Sequence, residues 1–225
     1  MANETEIRRG TSSKAEQVGK QAKARLEAML QAPREELGET PWWAPGDTWE
    51  IYAMGPEQNY NFTSGSPQPP GRIVFLGETA YVTTVLWLNP NMAAHLAGMG
   101  ACVNLSYHTA NTQTMTPVPA MDYTCSIDAA TPTYADPDYG SFYITVWEFT
   151  PTETGCLFET NICGTVCNCK GNVAPGYAGF VRWVYDFDYD VFFGSQWSEF
   201  NNPIRYLVAD KEATCNSDNA CVVIQ

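Results

Sequence analysis

Basic charge is scarce in this chain of 225 residues: 12 Lys and Arg stand against 25 Asp and Glu, for a formal net charge of −13. Residues 1–40 hold seven of the basic side chains against seven acids, which leaves five basic and 18 acidic residues in 41–225. Nucleic-acid backbones and anionic lipid surfaces are held by clustered Lys and Arg, so neither is an expected partner. Histidine is scarcer still, with only His95 and His108. Neither falls in a metalloprotease, nucleophile-elbow or triad motif. On a strand Ser106 and His108 would share a face with Cβ atoms roughly 6.5–7 Å apart, too far for a direct hydrogen bond. Phosphate-cradling loops are missing too, because Gly98-Met-Gly100 and Gly176-Tyr-Ala-Gly179 lack the spacing and the strand-to-helix setting that aim backbone donors at a phosphate.

Long apolar runs are also absent. No stretch of 18 or more apolar residues is present, so no membrane-spanning helix is expected. The polar start Met1-Ala-Asn-Glu-Thr-Glu lacks the apolar centre of a secretory signal, which gives a cytoplasmic expectation. Eight cysteines, an even number, keep a secreted or extracellularly assembled protein in view.

What is abundant is strand and turn chemistry. Aromatics make up 13% of the chain, with 17 Gly and 15 Pro, a composition that suits short strands joined by tight turns. Strand candidates are Thr48 to Met54, Arg72 to Leu76, Tyr81 to Leu88, Ala101 to Thr109, Tyr123 to Ile127, Phe142 to Phe149, Leu157 to Ile162, Gly176 to Phe193, Ile204 to Val208 and Cys221 to Ile224. Ala101 to Thr109 alternates, with Val103, Leu105 and Tyr107 opposite Asn104, Ser106 and His108. Arg72 to Leu76, Tyr81 to Leu88 and Phe142 to Phe149 are apolar on both sides, as central strands covered on both faces would be. In Gly176 to Phe193 the odd positions from Val181 to Phe193 are apolar and the even ones carry Asp186, Asp188 and Asp190. The segments Gly55 to Gly71 and Ala110 to Gly140 read as long surface loops. Asn89-Pro90 opens a short capped helix ending near Gly98.

Ahead of these strands, Ser13-Lys-Ala-Glu16 has the form of a capping box. Ala15, Val18, Ala22, Leu26 and Met29 then recur at spacings of three and four, predicting an amphipathic helix over about 13–32 that Pro33 closes. Gly19 weakens it. An Ala-rich stripe of this length needs a surface to bury against: its own sheet, an identical helix or another protein. The expected fold is mainly β, an antiparallel two-sheet β-sandwich, jelly-roll-like, over residues 41–225, with residues 1–40 as an extension bearing the α-helix.

Three constellations carry site hypotheses. Trp42, Trp43 and Trp197 offer flat apolar faces on which a sugar could stack, although paired Trp more often plugs a core edge. Asp186, Asp188 and Asp190 on one strand face repel one another unless hydration or a cation offsets them, and calcium is the cation that loose carboxylate geometry suits. Cys156, Cys163, Cys167 and Cys169 form the densest thiol cluster. Their C-x6-C-x3-C-x-C spacing is crowded for a tetrahedral zinc site, so zinc ranks below calcium, disulfides and plain buried thiols. No resident cofactor is required by any of these. The leading functional reading is a non-catalytic β-sandwich subunit of a larger assembly, self-associating or docking on a protein scaffold through its helix and aromatic-rich β domain. A carbohydrate-binding or other small-ligand module is the alternative, and a carboxylate-dependent hydrolase the second.

Overall fold

The computed structural model describes residues 12–31, 49–58, 73–168, 173–183 and 203–210. In chain order these form α1 (Ser13–Leu30), β1 (Trp49–Glu57), β2 (Ile73–Phe75), β3 (Ala80–Leu88), α2 (Pro90–Gly98), β4 (Ala101–Asn111), β5 (Thr116–Pro117), β6 (Tyr123–Asp128), β7 (Tyr134–Asp136), β8 (Gly140–Phe149), β9 (Gly155–Asn168), β10 (Val173–Trp183) and β11 (Ile204–Ala209), with a 3-10 turn at Pro119–Met121.

The strands build a β-sandwich of two sheets. The first runs β1–β3–β8–β7, and the second runs β2–β11–β9–β4–β6, with β5 also on β4. β10 belongs to both: Val173 to Phe180 pair antiparallel with β9, and Val181 to Trp183 pair parallel with Ile51 to Ala53 of β1. This crossing strand joins the sheets along one side. β2 also runs parallel to β11, so the sheets are mixed where wholly antiparallel pairing was expected. Both parallel pairs join strands far apart in sequence, as parallel neighbours require.

Period-two patterning explains which residues meet. Along β3 every residue is buried. Its even members Val82, Leu86 and Leu88 face the second sheet, where Val103, Leu105, Tyr107, Phe158 and Ile162 complete the main core. Its odd members Tyr81, Val85 and Trp87 face the other way, against α1. The doubly covered strand read from sequence therefore has a specific second cover, the chain's own helix. Tyr52, Met54 and Phe142 join Val85 and Trp87 beneath Leu26 and Leu30, while Ala15 and Val18 pack on Tyr81. Fully burying a Val or Leu side chain contributes about 1.5–3 kcal/mol, which offsets the marginal intrinsic stability of an Ala-rich helix.

The helix begins at Ser13, and its cap lies one residue earlier than the capping-box spacing places it. Ser12 is the cap: its Oγ accepts the Ala15 N–H at 3.1 Å, and its hydroxyl donates to the Glu148 carboxylate on β8. That tertiary partner on the sheet is available to Ser12, and Ser13 falls within the first turn. Ser12→Ala should cost about 1 kcal/mol in urea denaturation. Gly19 faces β8, and a Cβ built there would lie 3.6 Å from Val146 Cγ2, an ordinary contact. Gly19→Ala should therefore stabilise by about 0.5–1 kcal/mol, and a lower unfolding midpoint would show that the helix cannot sit that close.

α2 forms as read. Asn89 Oδ1 accepts the Met92 N–H at 2.7 Å, and Pro90 opens the helix. Two expectations fail. Ile73 in β2 is 56% exposed, so Arg72 to Leu76 contributes a three-residue strand at the end of its sheet and no doubly covered one. The span 110–140 is not a long loop, since β5, the 3-10 turn and β7 occupy it beside β6, whose Tyr123 to Ile127 was itself a strand candidate. Asp side chains tie its turns: Asp128 Oδ1 accepts the Ala130 N–H, and Asp136 Oδ1 accepts those of Asp138 and Tyr139.

Candidate functional site

Several residues singled out from sequence lie outside the described residues: Trp42, Trp43, Trp197, Asp186, Asp188, Asp190 and Cys169. Cys156 lies in β9. Cys163 and Cys167 share the outer face of that strand, and four residues of strand span about 13 Å. Sulfurs on one tetrahedral zinc lie about 3.8 Å apart, given bonds of about 2.3 Å, so these two do not converge on one ion. Among the described residues no group of three or more His, Cys, Asp or Glu is placed to hold a metal.

The register pairs Cys167 instead with a residue that sequence spacing separates from it. β4 and β9 run side by side through eleven unbroken pairs, and in that ladder Cys102 stands directly opposite Cys167. The Cys167 thiol donates to the Cys102 carbonyl oxygen at 3.5 Å. Burial raises the pKa of Cys167, and the neighbouring Cys102 thiol raises it further. Cys102, Cys125, Cys163 and Cys167 are not disulfide-bonded.

The polar groups buried in the main core are structural. Tyr107 donates its hydroxyl to Thr84 Oγ1 at 2.9 Å, and Thr109, Thr160 and Tyr206 form a second hydroxyl chain with separations of 2.8 and 3.2 Å. Burial pushes the Tyr107 phenol far above its ordinary 10.0, Tyr206 up to about 12 and Cys125 from 9.0 up to about 11. These groups keep their protons in the fold while the unfolded chain releases them from about pH 9 upward, so their stabilising contribution is whole below that pH and shrinks as pH rises toward 11–12. The melting temperature should be flat with respect to these groups up to about pH 9 and fall between 9 and 11. An unchanged value across that interval would contradict the buried assignment.

No catalytic pair emerges among the described residues. His108 is exposed on the outer face of β4, with Nδ1 3.4 Å from Asp122 Oδ2, while Asp122 Oδ1 accepts the Thr109 N–H. Other acids have structural partners: Glu159 binds Arg205 at 3.1 Å, and Glu153 accepts from Asn111 at 3.4 Å. A shallow groove of about 450 Å³ separates α2 from the 129–141 segment. Pro90, Ala93, Ala97, Ala130 and Pro132 line it with small apolar groups, beside Asp136, whose Oδ1 already caps the turn. It offers no aromatic ring for a sugar to stack on. The large aromatics Trp87, Trp147, Tyr107 and Tyr206 are fully or almost fully buried instead.

The feature that sequence reading missed is a row of apolar side chains on the outer face of the second sheet. Ile73 and Leu207 are register partners on β2 and β11, and Leu157 lies on β9, the other neighbour of β11. They are 56%, 36% and 40% exposed. Beside the row Arg205 and Glu159 balance each other's charge. The apolar/polar alternation of each strand assigns its faces, but only the pairing of three distant strands brings these residues into one line.

No protein-family model matches this chain, and no curated protein matches it. Solved structures with some likeness include the CARDB domain of a Pyrococcus furiosus protein in complex with di-metal ions, at 12% identity and a TM-score of 0.31, covering 72% of this chain and 94% of that one. The C-terminal domain of wzt has 9% identity and a TM-score of 0.35, covering 79% and 92%. A β-glucosidase from Listeria innocua in complex with glucose has 9% identity and a TM-score of 0.30, covering 62% of this chain and 17% of its own. With scores this low, none of the three bears on what this chain does.

Proposed function

We propose that the chain is a non-catalytic β-sandwich subunit that associates with copies of itself through the outer face of its second sheet. The observation that supports this reading is the exposed row Ile73, Leu207 and Leu157 across three adjacent strands. Single exposed apolar side chains are ordinary, whereas contiguous ones mark contact surfaces. The helix is a poor contact surface by comparison, because Ala15, Val18, Ala22, Leu26 and Leu30 are already buried.

A second copy suits the patch because Arg205 and Glu159 keep it locally neutral on a chain of net charge −13. Added salt screens the overall repulsion between copies, so association should strengthen from about 50 to 500 mM salt. Size-exclusion chromatography with light scattering, run over a concentration series, tests the reading. The expected result is a mass that rises with concentration and salt; a monomer under every condition would overturn it.

A further inference from the structure

We infer that Cys102 and Cys167 are a redox pair that closes into a cross-strand disulfide on the outer face of the second sheet. Three observations lead there. The two residues are direct partners in the β4–β9 register, within a ladder that has no bulge. Directly opposed residues of antiparallel strands have Cα atoms about 4.5–5.5 Å apart, inside the range that a disulfide spans. The thiols are also near enough to interact, with the Cys167 thiol on the Cys102 carbonyl at 3.5 Å and the Cys102 thiol disfavouring ionisation of Cys167.

The two differ in access, which orders the chemistry. Cys102 is half-buried and Cys167 is 2% exposed. The Cys102 thiolate attacks one sulfur of a low-molecular-weight disulfide such as oxidised glutathione, and one glutathione thiolate leaves. The Cys167 thiolate then attacks the Cys102 sulfur of the mixed disulfide and expels the second glutathione. Two protein thiols lose two protons and two electrons, and one glutathione disulfide becomes two thiols. The link joins residues 65 apart in sequence, a long loop whose closure restricts the unfolded chain strongly.

The experiment equilibrates the full chain with oxidised and reduced glutathione, blocks remaining thiols with iodoacetamide and maps the links by mass spectrometry. No Lys or Arg lies between Arg72 and Lys170, so chymotrypsin replaces trypsin, and fragment spectra separate Cys167 from Cys163 and Cys169. The expected result is a Cys102–Cys167 peptide, retained in Cys163→Ser and absent in Cys102→Ser. The melting temperature should rise on oxidation by about 5–10 °C, and Cys102→Ser should lose that rise. Alkylation of both residues after equilibration, or Cys102 joined to any other cysteine, would overturn the inference. If Cys102→Ser fails to fold, the peptide map of the unaltered chain decides alone.

Discussion

Replacing Leu26 by alanine should cost about 2–5 kcal/mol in urea denaturation, and Leu26→Asp should abolish the folded state. Leu26 is 1% exposed and sits over Tyr52, Val85, Trp87 and Phe142, so the cavity opens between helix and sheet. Trp87 is held in place as well as covered, since its indole N–H donates to the Tyr139 carbonyl at 2.6 Å. The same helix supplies the control. Lys23 on the exposed side pairs with Glu27 at 3.6 Å, an i,i+4 contact worth about 0.2–0.5 kcal/mol, so Lys23→Ala should hardly move the midpoint. Equal costs at Leu26 and Lys23 would mean that α1 does not cover the sheet. Deleting α1 to test association would uncover the same apolar face, and the aggregation that followed would be mistaken for assembly.

Gly140→Ala should destabilise by at least about 2 kcal/mol, although it adds a single methyl group. Gly140 opens β8 with φ +96°, a region that L side chains rarely adopt. A Cβ there would collide with the Leu88 carbonyl oxygen and lie 3.1 Å from the Asn89 Cα. Both obstacles are backbone, at the end of β3 and the cap of α2, so relief requires moving two elements. Gly98→Ala is the matching control, because nothing lies within 4 Å of its added Cβ. A thermal melt of the two variants side by side checks the contrast. Comparable stability would show that the β3–α2 junction yields easily.

Much of the fold was legible because its strands alternate and its helices carry ordinary start signals. Val103, Leu105 and Tyr107 point inward, as their alternation with Asn104, Ser106 and His108 demands. β3 reads as buried on both faces from composition alone. Which layer lies on each face is a tertiary fact, and the helix stripe allowed its own sheet, another helix or another protein with equal chemistry. The cap at Ser12 was missed because its second partner, Glu148, lies 136 residues away. The extension of β9 through Cys163 to Asn168 is hidden in the sequence by Gly164, a residue with little strand character. Gly164 fits there because a Cβ would lie 2.7 Å from Ile51 Cδ1, so the missing side chain admits the facing sheet. The candidate sites were the least legible part. Cys102 with Cys167, and Ile73 with Leu207 and Leu157, become neighbours only through strand pairing, which no local motif encodes.

Hydrogen–deuterium exchange on the full chain at low and high protein concentration tests the central claim most directly. If copies associate through the outer face of the second sheet, amides of Ile73–Phe75 and Ile204–Ala209 should gain protection as concentration rises, while α1 stays unchanged. Protection that rises in α1, or in neither place, would contradict it.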